Sequence, residues 1–114
     1  MGILVAALVG AAAVAAGRPP RGWNSWNSFL EWVNETQLLA QADVMERTGM
    51  RELGWEYVIS DGGWYYPSDK GKSIEAEVID SYGRLIPTPD RYPSGWKGLC
   101  DALHAKGFKC GFHL

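Results

Sequence analysis

Twice in this chain a helical pattern runs through a glycine straight into a short apolar strand. In the first unit, Leu38, Ala42 and Met45 fall on one helical face. Asn34-Glu35-Thr36-Gln37 ahead of them reads as a capping box, and Gly49 or Gly54 can end the helix. Residues 55–61 follow, with Tyr57-Val58-Ile59 as a buried strand core. In the second unit, Trp96, Leu99 and Leu103 share a helical face after Pro93-Ser94-Gly95, Gly107 is placed as the stop, and residues 108–114 form a strand. With residues 22–26 as a first short strand, the order is β-α-β-loop-α-β. That order specifies an α/β fold with a parallel sheet and helical crossovers. Residues 62–93 make a long irregular connection rich in Gly, Pro, Ser, Asp and Tyr. Alternation over residues 79–86 predicts a small hairpin there, with Tyr82-Gly83 near its turn. Connections this long inside compact domains are usually functional or disordered.

The length of 114 residues allows one small domain. A net charge of −2 and the lack of any Lys/Arg-dense run point away from a nucleic-acid or membrane-surface partner. Six tryptophans in so short a chain are unusual, and their flat apolar faces suit the C–H face of a sugar ring as well as a packed core. The apolar run over residues 3–16 is shorter than the roughly 20 residues a spanning helix needs. Ala13-Val14-Ala15 fits an A-x-A cleavage pattern, so residues 1–17 are expected to be a signal peptide. The expected destination is extracellular or the cell wall, with the vacuole as the alternative. Asn34-Glu35-Thr36 is also an N-glycosylation sequon, meaningful once the chain enters the secretory pathway. Cys100 and Cys110 are too few for a disulfide framework and are expected to be free and partly buried. No metal site and no cofactor motif is expected.

Four motifs in order carry a resemblance to a known family. Pro20-Arg21-Gly22-Trp23-Asn24-Ser25-Trp26-Asn27-Ser28-Phe29 resembles the opening strand of the glycoside hydrolase family 27 barrels, the α-galactosidases or melibiases. Leu53-Gly54-Trp55-Glu56-Tyr57-Val58-Ile59-Ser60-Asp61 resembles their second strand. The stretch from Tyr82 to Gly95 resembles the approach to the second helix, and His104 to His113 that helix's end and the third strand. The resemblance implies that residues 18–114 are the opening of a (β/α)₈ barrel: three strands, two helices and a long loop between the second strand and second helix. Such barrels carry their chemistry at the C-terminal strand ends, which here are Trp26, Asp61 and His113. By resemblance Trp26 packs near the sugar. Asp61 matches the first of two adjacent aspartates that bind galactose hydroxyls, and His113 stands where many members have a pocket tyrosine.

The departures are specific. Gly62 replaces the second aspartate, and Gly63 replaces the cysteine after it. The usual partner of that cysteine is missing too, since no Cys lies between Phe29 and Trp64. Trp64-Tyr65, the long loop and His113 resemble a plant subgroup with β-L-arabinopyranosidase as well as α-galactosidase activity. Arabinopyranose lacks the C6 hydroxymethyl of galactose, which suits a pocket that has lost a hydroxyl-binding aspartate. Retaining glycosidases need two carboxyl groups about 5 Å apart. In the family both come after the third strand, so no catalytic residue is expected in this chain. Asp69, Glu75, Glu77 and Asp80 read as solvated loop charges. Two classes of function follow: the opening of a glycosidase acting on terminal α-D-galactosides or β-L-arabinopyranosides, or a non-catalytic secreted product that at most binds sugar.

Overall fold

A computed structural model of the chain describes residues 18–114; the expected leader, residues 1–17, lies outside the described residues. Strands β1 (Gly22–Asn24), β2 (Tyr57–Ser60) and β3 (Lys109–Phe112) form one sheet, parallel throughout, in the order β1-β2-β3. The helices are α1 (Trp26–Phe29), α2 (Glu35–Arg47) and α3 (Gly95–Ala105). The sequence pattern carries the first strand as far as Trp26, but the structure ends it at Asn24 and starts α1 at Trp26. The cause is local. Asn24 Oδ1 accepts the Trp26 N–H at 2.8 Å, and the Phe29 N–H returns to the Ser25 carbonyl at 2.9 Å, so the chain coils as it leaves the sheet. A 3₁₀ turn at Leu30–Trp32 then leads toward α2.

The expected capping box is present. Asn34 Oδ1 accepts from the Gln37 N–H at 2.9 Å, and Gln37 Oε1 accepts from the Asn34 N–H at 3.0 Å. Both long helices end in one way. After α2 the Gly49 N–H bonds Glu46 O and the Met50 N–H bonds Met45 O; after α3 the Gly107 N–H bonds His104 O and the Phe108 N–H bonds Leu103 O. These are Schellman closures, which need a left-handed residue. Gly49 and Gly107 supply it with φ of 75° and 81°. Each closure turns the chain back beside the helix it has just left.

The core lies between the sheet and the pair α2 and α3. Leu38, Ala42 and Met45 of α2, Val58 of β2, Leu99 and Leu103 of α3, and Phe108 are all buried. Alternation along β2 sends Val58 and Ser60 to the helices and leaves Tyr57 and Ile59 on the opposite face. The long connection packs against this core through Trp64 and Tyr92, both buried. The hairpin within it is present as an antiparallel bridge between Ile79 and Leu85, with the Asp80 carboxylate accepting the Tyr82 and Arg84 N–H groups across the turn.

One expectation is corrected. Cys100 and Cys110 are not free: they form a disulfide between α3 and β3, with Cα atoms 5.3 Å apart. The turn at Gly107 folds β3 back along α3, so residues ten apart in sequence end side by side. Counting cysteines misses this return of the chain.

Candidate functional site

Asp61 follows the last residue of β2, on the sheet face away from the helices. His113 stands just beyond β3. Its N–H donates to Ser60 O at 2.9 Å, extending the strand pairing by one step and setting His113 beside Asp61. His113 Nδ1 lies 3.3 Å from Asp61 Oδ1. Trp26 opens α1 and is 44% exposed. The structure therefore brings together all three residues expected at the strand ends, on the wall of one open cavity of about 490 Å³.

Asp61 is closely held. Its Oδ2 accepts from Asn24 Nδ2 at 2.7 Å, its Oδ1 accepts from the Gly62 N–H at 2.7 Å, and its own N–H donates to Ser25 Oγ at 2.9 Å. Partial burial pushes its carboxyl up. Donation from Gly62 and Asn24 and the neighbouring His113 outweigh that and hold it below the usual carboxylate range. Asp61 thus presents an anionic acceptor to the cavity, suited to receiving hydroxyl donors.

The two glycines after Asp61 differ. A Cβ on Gly62 would meet nothing closer than 3.6 Å, an ordinary van der Waals contact, so a side chain can start there without a clash. A Cβ on Gly63 would fall 2.4 Å from the Glu31 Cβ, and Gly63 has φ of 91°. Gly63, where the resemblance expects a cysteine, is instead pressed against Glu31. Arg91 fastens the same contact, donating from Nη1 to Glu31 O at 2.6 Å and from Nη2 to Gly63 O at 2.8 Å.

Glu31 and Lys72 also line the cavity, and the sequence reading missed both. Glu31 is buried, and its carboxylate pairs with the Lys72 ammonium. Hydrogen bonding from Lys72, helped by the local backbone, holds the Glu31 carboxyl below its ordinary value. A carboxylate kept ionised in this way is a poor proton donor. The available signal was a lone acid inside the aromatic run Phe29-Leu30-Glu31-Trp32. Tyr65 and Tyr66 complete the aromatic side of the wall. Asp69, Glu75, Glu77 and Asp80 are not among the lining residues, and Asp80 pairs with Arg84. Among the described residues, no three His, Cys, Asp or Glu side chains group as a metal site, and no helix is long and apolar enough to cross a membrane.

Comparison with known proteins agrees with this geometry. An α-galactosidase from rice, Oryza sativa subsp. japonica, is 40% identical over 98 residues, covering 85% of this chain and 21% of the rice protein. The crystal structure of a family 27 β-L-arabinopyranosidase from Geobacillus stearothermophilus superposes with a TM-score of 0.78 at 36% identity, over 84% of this chain and 24% of that one. That of α-galactosidase I from Mortierella vinacea gives 0.70 at 32%, over 82% and 21%. The chain therefore spans between a fifth and a quarter of the length of these relatives. Its three parallel strands and their helices correspond to the N-terminal part of the (β/α)₈ barrel of the solved structures. The family model described as alpha galactosidase A matches residues 18–114, and the chain belongs to that family of glycoside hydrolases.

Proposed function

We propose that this chain supplies the first part of the sugar-binding wall of a retaining glycosidase for terminal α-D-galactosides or β-L-arabinopyranosides, and carries neither catalytic carboxylate. The observation that carries the reading is the convergence of Trp26, Asp61 and His113 on one cavity at the C-terminal strand ends. Trp26 offers a half-exposed apolar face to a sugar ring. Asp61 is placed to accept hydrogen bonds from sugar hydroxyls, and the Lys72 ammonium, paired with Glu31, also lines the cavity. Gly62 leaves the wall beside Asp61 without a side chain, which favours a pentopyranose lacking the C6 hydroxymethyl group. The existence of both α-galactosidases and an arabinopyranosidase among the relatives supports this pair of substrates.

The test is Gly62→Asp in the longer enzyme of which this segment is the proposed opening. A Cβ at Gly62 makes only ordinary van der Waals contacts, the nearest at 3.6 Å, so the variant should fold. The ratio of galactoside to arabinopyranoside kcat/KM should rise. An unchanged ratio in the folded variant sinks the account of the pocket. The 114-residue chain assayed alone should hydrolyse neither nitrophenyl α-galactoside nor β-L-arabinopyranoside above a blank, and turnover abolished by Asp61→Ala would overturn that assignment.

Export belongs to the same reading, with residues 1–17 as a cleaved signal peptide and Asn34 glycosylated. Capping uses Asn34 Oδ1, which a glycan on Nδ2 leaves in place. Expression in a secretory host should yield a chain shortened at the leader and shifted in mass by an endoglycosidase; an intact, unshifted intracellular chain removes the proposal.

A further inference from the structure

Asn24 uses both ends of its side-chain amide, and on two different elements. Nδ2 donates to Asp61 Oδ2 at 2.7 Å, from β1 to the end of β2. Oδ1 accepts the Trp26 N–H at 2.8 Å, at the first turn of α1. The orientation is unambiguous: reversing the amide would set an oxygen against the carboxylate and an NH₂ against an N–H. The chain around it is equally fixed. The Ser25 N–H donates to Ile59 O at 3.1 Å, while Ser25 Oγ receives the Asp61 N–H at 2.9 Å. We infer that Asn24 is a positioning residue that locks Asp61 and Trp26 in a fixed mutual geometry, a role resting on the reading of those two as sugar contacts.

The arrangement also selects which oxygen of Asp61 is free. Oδ1 faces the Gly62 N–H at 2.7 Å and His113 Nδ1 at 3.3 Å. Oδ2 holds only the Asn24 amide among the described residues. A carboxylate oxygen has two acceptor sites, so Oδ2 keeps one open. An incoming sugar hydroxyl is received there, and the Asn24 amide fixes the plane of the carboxylate that receives it. The same amide holds the start of α1, and with it the base of the Trp26 side chain that would lie against the ring. No other residue type fits as well. Asp would set a second carboxylate against Asp61, Leu would satisfy neither group, and Ser is too short to span both. Gln keeps the chemistry with one carbon more.

The test follows the Asp61 carboxyl directly. The full 114-residue chain is labelled with carboxyl-¹³C aspartate, and the Asp61 signal is titrated by NMR in the native chain and in Asn24→Leu, Asn24→Asp and Asn24→Gln. Losing a donor to the ionised form disfavours that form, so Asn24→Leu should move the Asp61 midpoint to higher pH. Asn24→Asp should move it further and split the curve into two steps, because two facing carboxylates titrate as a coupled pair. Asn24→Gln should return most of the way to the native midpoint, a rescue that a merely space-filling role would not give. The Trp26 backbone amide signal should shift in Leu and recover in Gln. An Asp61 midpoint that stays in place in folded Asn24→Leu, or in folded Asn24→Asp should Leu not fold, overturns the inference. Titration with D-galactose separates the two layers. If the midpoints move as expected but the two signals stay still with galactose, and Asp61→Ala in the longer enzyme leaves kcat/KM for both glycosides unchanged, the positioning role stands and the sugar-contact reading fails.

Discussion

Replacing Gly63 by alanine should destabilise the chain far more than the same change one residue earlier. At Gly63 the new Cβ would lie 2.4 Å from the Glu31 Cβ and 3.0 Å from the Glu31 carbonyl oxygen. The backbone there also has φ of 91°, a region that costs a residue with a Cβ about 1–2 kcal/mol. Forcing the neighbouring segments apart costs about 1–3 kcal/mol more. The sum is about 2–5 kcal/mol, against a total of about 5–15 kcal/mol for a typical domain. At Gly62 the nearest atom to a built Cβ is 3.6 Å away, and its backbone lies outside the left-handed region. Gly62→Ala should therefore be neutral or stabilising by up to about 1 kcal/mol, through the loss of freedom in the unfolded chain. Urea unfolding followed by tryptophan fluorescence reads the difference, since Trp64 is buried beside this contact. With a slope of about 1 kcal/mol per molar urea, the midpoints of the two variants should differ by about 2 M or more. In a Glu31→Gly background the Gly63→Ala penalty should shrink, because one of the colliding groups is gone. Equal midpoints for Gly62→Ala and Gly63→Ala would refute the steric argument.

Reducing the Cys100–Cys110 bridge, or replacing both residues by serine, should lower stability by about 2–3 kcal/mol, as expected for so short a closed loop; two thiols that label in the unreduced, unfolded chain would show that the bridge is absent. Stability should also fall in acid. Asp61 and Glu31 are held below their ordinary values in the fold, and so is Asp90, to about 2, where donation from the Ser68 hydroxyl and N–H outweighs the opposing effect of burial. Each contributes stability that is complete above its unfolded pKa and lost as pH falls through its lower folded value. The urea midpoint should accordingly drop between about pH 5 and pH 2, and Asp90→Asn should flatten the drop; a midpoint independent of pH in that window would contradict this. Lys72→Met leaves the buried Glu31 carboxylate without its ammonium and should cost about 1–3 kcal/mol, while Glu31→Gln in the same chain should recover much of it. A double-mutant cycle in which the two changes simply add would show that the pair is not coupled.

Periodicity and punctuation were enough to read α2, β2, α3 and β3 from the residues, because each signal is local. The capping box at Asn34 and the closures at Gly49 and Gly107 lie within a few residues of the helices they bound. The motifs and the rule that barrel chemistry sits at strand ends singled out Trp26, Asp61 and His113, and the structure sets the three on one cavity wall. What escaped depends on the path of the chain in space. Glu31 meets Lys72 and Gly63 only because the segment after β1 folds under the long connection from β2. Cys100 meets Cys110 only because β3 returns along α3. Asn24 shows one more limit: its role needs both a donor and an acceptor partner, and one of these is 37 residues away.

The strands stand in the sheet in the order in which they occur in the chain. Among the described residues, no later strand has to insert between two that are already paired. During synthesis, β2 can dock on β1 and bury the α2 face while the following residues are still inside the ribosomal exit tunnel, and β3 can then add at the open side. Domains emerge N-terminal end first at about 5–20 residues per second, slow compared with helix and loop formation. Assembly can therefore keep pace with translation, each βα unit using the previous one as its template. A substitution that loosens the docking of β2, such as one at Val58, should on this view impair growth of the sheet before β3 has been made.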